Sequence, residues 1–182
     1  MDSLNRIMDE GDCFSCLVES PKERMRKDLF NTVNTVAGHG ELVYVTTNEP
    51  YSTVADNLLA LNINTRGIYY IDCISAISEG LDSVDVSFIL DISDLNSLSI
   101  MVKKQLDRVK DGGFLFLDAV HTLWIYNKSS IVARFTQATV EKAQKAGVNV
   151  IFFIVDVKNK DLLRKIAPLF DYFIVSGDAL NG

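Results

Sequence analysis

No apolar run in this sequence reaches the roughly 18 residues that a membrane-crossing helix needs, so a helical span is not expected within it. The first ten residues, Met1 to Glu10, are polar and acidic and lack the basic-then-apolar order of a secretory leader. Positive charge is in deficit: 18 Lys and Arg against 24 Asp and Glu leave a formal net charge of −6 and a pI near 4.9. That balance argues against a nucleic-acid binder, which needs a basic footprint on the phosphates. A cytoplasmic protein is the expectation. Histidine is scarce, with only His39 and His121, far apart in sequence. A catalytic or metal-binding histidine is therefore not expected, although His121 could line a cleft and His39, in a Gly-His-Gly turn, should be exposed. There are three cysteines, Cys13, Cys16 and Cys73. Cys13-Phe14-Ser15-Cys16 has redox or half-zinc-site spacing, but no second Cys or His pair accompanies it. Residues three apart in a strand also point to opposite faces. Buried structural cysteines are the expectation, and no metal or cofactor is implied.

What is present is a regular alternation of strand and helix signals across 182 residues that are 48% hydrophobic, enough for one well-buried domain. Strands are expected at Cys13–Val18, Leu42–Thr47, Gly67–Asp72, Val86–Leu90, Phe114–Leu117, Val148–Val155 and Tyr172–Val175. Helices are expected from about Pro21 to Gly38, over Ser52–Leu61, after an N-cap at Asp94, over Ser130–Ala146 and over Asn159–Ala167. Residues 1–10 read as an N-terminal extension and Ile77–Asp85 as a polar connection. Several strands are continuous apolar runs, as in Val-Ile-Phe-Phe-Ile-Val from Val150. Such runs are buried on both faces, so the fold class is a three-layer α/β domain with a mainly parallel central sheet. Cys13–Val18 and Phe114–Leu117 are expected to be central, adjacent strands.

Order and spacing resemble the KaiC/RecA-like branch of P-loop ATPases, common in archaea, over roughly Glu10 to Ser176. Gly11-Asp12 ahead of Cys13–Val18 looks like the entry to that family's first strand. Glu41 to Pro50 looks like its second strand, ending near a water-activating glutamate. Phe114-Leu115-Phe116-Leu117-Asp118 looks like its Walker B strand. By resemblance, Glu49 and Asp118 stand as vestigial catalytic candidates, Asp118 at the position of a magnesium-holding aspartate.

The departures from the family are larger than the likeness. A phosphate loop needs glycines so that backbone N–H groups wrap the phosphates, and a lysine to reach the outer ones. Here the segment reads Glu19-Ser20-Pro21-Lys22-Glu23-Arg24-Met25-Arg26, without glycine. Aligned on Pro21, the family glycines fall on Glu19, Lys22 and Arg24, its lysine on Met25 and its Ser/Thr on Arg26. Ser20-Pro21-Lys22-Glu23 reads instead as a capping box with Pro at the first helical position, a helix start satisfied by its own side chains. The resemblance further implies terminal strands with basic residues for a neighbour's nucleotide, and nothing here matches them. Neither catalytic residues nor a nucleotide site is therefore expected.

Asp72, Asp91 and Asp118 each follow an apolar strand and should lie along the carboxyl edge of the sheet, where open α/β folds bind ligands. Capping is the favoured role for them, a cation site the other. Leu123-Trp124-Ile125-Tyr126 is apolar where the fold usually has a loop. Core packing is the commoner reason for such a stretch, and a contact surface the alternative. The leading functional expectation is a non-catalytic pseudo-ATPase domain that binds a protein partner or itself. The alternative is a small-molecule or nucleotide binder, or an enzyme, on a Rossmann- or flavodoxin-like sheet. That alternative lacks a G-x-G-x-x-G turn and a G-x-S-x-G elbow, and a phospho-receiver would need an early acidic pair that is absent.

Overall fold

The computed structural model describes residues 2–75, 85–155 and 160–176. Helix α1 (Asp2–Asp9) precedes strand β1 (Ser15–Ser20), followed by α2 (Met25–Ala37), β2 (Leu42–Thr46), α3 (Tyr51–Ala60), β3 (Ile68–Asp72) and β4 (Val86–Phe88). Then come α4 (Leu95–Leu106), β5 (Phe114–Asp118), α5 (Val120–Tyr126), α6 (Ser129–Lys145), β6 (Asn149–Val155), α7 (Asp161–Ile166), a 3₁₀ turn (Ala167–Leu169) and β7 (Tyr172–Val175). The connection expected at Ile77–Asp85 lies outside the described residues, apart from Asp85.

Among the described residues seven strands form one sheet in the order β4-β3-β2-β5-β6-β1-β7, and every pairing is parallel. Helices cover both faces, the three-layer arrangement that the continuous apolar strands demand. Alternate residues divide between the layers. Leu17, Val45, Leu117 and Phe152 face a core closed by α4, α5, α6 and α7. Cys16, Tyr44, Phe116 and Phe153 face the core under α1, α2 and α3. Helix α1 is part of that second core through Leu4 and Ile7.

The expected adjacency of β1 and β5 does not hold, because β6 lies between them and pairs with both. Asn149-Val150-Ile151-Phe152-Phe153-Ile154-Val155 is buried at all seven positions. A strand that apolar on both faces is satisfied only inside the sheet. The cysteine expectation also needs correction. Cys16 and Cys73 are buried, and burial pushes both thiols up to about 12. Cys13 is exposed and precedes β1. Its Sγ donates to the Val148 carbonyl at 3.4 Å, and partial burial with Asp111 and Asp171 nearby raises its pKa.

Helix α4 begins as its sequence predicts. Asp94 accepts from the Asn96 and Ser97 backbone N–H groups at 3.1 and 3.0 Å. Leu98, with no exposure, and Val102 then reach the core. Leu98→Ala should cost about 2–5 kcal/mol in a urea-unfolding measurement, since the fully buried side chain loses its core contacts and leaves a cavity.

Candidate functional site

The glycine-free segment Glu19 to Arg26 is tied up by its own side chains. Strand β1 runs on through Glu19 and Ser20, which pair with Ile154 and Val155 of β6. The chain then turns tightly. Arg24 N–H donates to the Pro21 carbonyl at 3.0 Å, Met25 N–H to Lys22 at 3.4 Å and Asp28 N–H to Arg24 at 2.9 Å. Three of the segment's N–H donors are thereby spent on the turn.

The capping box does not form. Helix α2 starts at Met25 with Arg24 at the N-cap and no side-chain cap. Ser20 is held extended by the ladder with β6, and its hydroxyl donates to Asp28 Oδ2 at 2.7 Å. A buried carboxylate is a stronger acceptor than a neutral partner. Asp28 also takes Arg24 Nη2 at 3.3 Å. Burial pushes its pKa up, but hydrogen bonds from Ser176 and Ser20 and the Arg24 charge bring it below the usual carboxylate range. Glu19 is buried and paired with Lys160 Nζ at 2.7 Å. Two carboxylates, Glu19 and Asp28, thus flank the end of β1. Lys22, Glu23, Arg24 and Arg26 are exposed and Met25 is half-buried. Arg26 lies over the Phe30 ring at 5.7 Å and approaches Glu49 at 3.9 Å.

Ser20→Ala should lower stability by about 1–2 kcal/mol, because a buried carboxylate loses one of its donors. Equilibrium denaturation at pH 7 measures it, and no loss would mean that the Ser20–Asp28 bond contributes nothing.

A second cluster joins β2 and β5. Thr46 pairs in register with Asp72 on one side and Asp118 on the other, so the two aspartates share one row and one face at the carboxyl edge. Asp118 is 4% exposed. It accepts from Tyr44 Oη at 2.9 Å and Asn48 Nδ2 at 2.8 Å, one on each oxygen. Asn48 in turn accepts from the Thr122 hydroxyl. Thr47 donates its N–H and hydroxyl to the Asp118 carbonyl at 2.7 and 2.8 Å, and its oxygen takes Ala119 N–H at 2.8 Å. Desolvation raises the Asp118 pKa to about 6, against the lowering effect of the Asn48 and Tyr44 hydrogen bonds.

The other edge residues cap loops. Asp72 accepts from the N–H groups of Tyr51, Ile74 and Ser75 and from the Ser75 hydroxyl. Asp91 is exposed and accepts from Ser93. Among the described residues no three of His, Cys, Asp and Glu approach closely enough to hold a metal. Glu49 is half-buried, and its carbonyl takes the Thr46 hydroxyl. His39 is exposed. His121 Nδ1 accepts Val155 N–H at 3.4 Å, and desolvation lowers its pKa, which favours the neutral ring.

Leu123-Trp124-Ile125-Tyr126 is the second half of helix α5 rather than a loop. Core packing holds for Leu123, which is fully buried, and in part for Trp124. Ile125 and Tyr126 stand out at 70% and 57% exposure. Sequence reasoning missed Tyr44, Asn48, Asp28 and Lys160. A tyrosine in a strand buried on both faces was the available signal, since its hydroxyl must find a partner. The Ser20–Asp28 and Glu19–Lys160 pairings gave none, because their members are eight and 141 residues apart.

The architecture defines a parallel α/β domain. The chain matches no protein-family model and no curated protein. No helix among the described residues is long and apolar enough to cross a membrane.

Proposed function

We propose that this chain is a non-catalytic KaiC/RecA-like domain, a pseudo-ATPase that works as a regulatory or protein-interaction module. The observation that carries the reading is the filled loop position. Glu19 is bonded to Lys160 and Ser20 to Asp28, around a tight turn without glycine. Phosphoryl transfer on such a fold needs backbone donors and a lysine on the phosphates, a hydroxyl on magnesium and a placed base. Met25 and Arg26 stand where the lysine and hydroxyl would be. Asp118 spends both oxygens on Tyr44 and Asn48, so its geometry favours a structural tie between β2 and β5. Glu49 is drawn toward Arg26. The exposed Ile125 and Tyr126 beside the carboxyl edge supply the contact surface of this reading, for a protein partner or a second copy.

ATP with magnesium should give no phosphate release above background and no thermal stabilisation. A true ligand at a hundredfold excess over its dissociation constant would stabilise by about 2.7 kcal/mol. Turnover that disappears in Asp118→Asn would overturn the reading and place an unconventional phosphate site at this edge.

A further inference from the structure

Strand β7 ends the sheet with one hydrogen-bonding edge unpaired among the described residues. Ser176 N–H donates to the Glu19 carbonyl at 2.7 Å. By the alternation of a parallel ladder, the N–H and C=O groups of Phe173 and Val175 then face the open edge. Natural edge strands are blunted by lysine, proline or a bulge. Tyr172-Phe173-Ile174-Val175 carries neither lysine nor proline, and Phe173 and Val175 remain 45% and 39% exposed.

The surroundings of this edge are polarised. A groove of about 460 Å³ lies between β7 and α1, lined by Arg6 and Ile7. It adjoins a cavity of about 230 Å³ at the carboxyl end of β7, with Ser3, Ile174 and Val175 common to both. Arg24 and Lys27 line that cavity, and the one carboxylate lining it among the described residues, Asp28, is already bonded to Ser20 and Arg24. Lys27 and Arg6 form no ion pair among the described residues. The amino end of β7 is acidic instead, with Glu10 on the Tyr172 hydroxyl at 2.8 Å and Asp171 on Ser15.

We infer that β7 is a strand-addition site for an extended partner peptide, laid parallel to it, with apolar side chains on Phe173 and Val175 and an acidic C-terminal end on Arg24 and Lys27. Main-chain hydrogen bonds supply affinity in this mode, and charge sets direction and register. The inference rests on the reading of the chain as a contact module but uses a surface distinct from Ile125 and Tyr126. Its test is indifferent to turnover, so the two can fail separately.

The probe is a fluorescein-labelled Thr-Val-Thr-Val-Thr-Asp-Glu peptide with a free C-terminus, read by fluorescence anisotropy on the full chain. A generic β-prone sequence suffices because the backbone carries the affinity. Saturable binding is expected below about 1 mM. It should weaken by about tenfold when alternate peptide nitrogens are methylated, when the acidic end is changed to Lys-Lys, and in Lys27→Glu. Val175→Pro removes an outward N–H while leaving the β1 ladder, and should weaken binding equally. Lys27→Glu is a surface change and keeps the test valid should Val175→Pro unfold. No binding up to about 1 mM overturns the proposal, as does binding that methylation leaves unchanged. Self-association of the free protein that Val175→Pro abolishes would make the occupant a second copy and would also overturn it.

Discussion

Phe116→Ala should lower the unfolding free energy by about 3–5 kcal/mol, the largest loss expected from any single change near the site. Phe116 lies in the middle of β5 with no exposure, two residues before Asp118. Its ring is 5.2 Å from that of Tyr44 on β2 and 6.4 Å from that of Phe153 on β6. All three strands are paired on both sides and cannot move inward to close the void. The lost transfer energy and the residual cavity therefore add. The change also loosens Tyr44, whose hydroxyl holds Asp118. Chemical denaturation monitored by circular dichroism measures the loss. A cost below about 1.5 kcal/mol would mean that Tyr44 and Phe153 collapse into the gap and that the layer is softer than its packing indicates.

The second large effect is one of pH. The Asp118 carboxyl is raised to about 6 by burial, against 3.8 for an ordinary aspartate. The folded state therefore binds this proton more tightly than the unfolded chain does. The corresponding stabilisation is complete below the unfolded value and is lost as pH rises through about 6. Its full extent is about 3 kcal/mol, and between pH 7 and pH 5 it amounts to about 1 kcal/mol. His121 acts in the opposite sense, because burial lowers its pKa and the neutral ring is favoured in the fold. Its contribution is present above the unfolded histidine value and fades as the pH falls. Asp28, held below the usual range, loses its contribution only in stronger acid. The Asp118 effect is therefore read as the difference between the wild-type and Asp118→Asn profiles. That difference should grow toward pH 5, and parallel profiles would show that Asp118 ionises like an exposed carboxylate.

The alternation of strands and helices was legible in the sequence because each element carries its own local signal. Asp94, Leu98 and Val102 mark the start and inner face of α4 without help from any distant residue. The Val-Ile-Phe-Phe-Ile-Val run in β6 reveals a strand buried on both faces, and from that a parallel sheet with two helical layers follows. The absent glycines between Glu19 and Arg26 were equally plain, since backbone freedom depends on the residue itself.

The side-chain partnerships were not legible. The motif Ser20-x-x-Glu23 fits a capping box, and in isolation a helix would start there. The β6 ladder instead keeps Ser20 extended, and Asp28 offers its hydroxyl a better acceptor. The position of β6 between β1 and β5 was hidden for a related reason. Apolar content reports burial but carries no information about which neighbour is buried against which.

From the sequence alone came the layers, the run of elements and the absence of glycine between Glu19 and Arg26, all properties of short segments. The tertiary structure alone decided that Glu19 meets Lys160, that Asp118 is closed by Tyr44 and Asn48, and that β7 presents an edge beside Arg24 and Lys27. Those contacts join residues far apart in the chain, and only the crossing order of the strands brings them within reach.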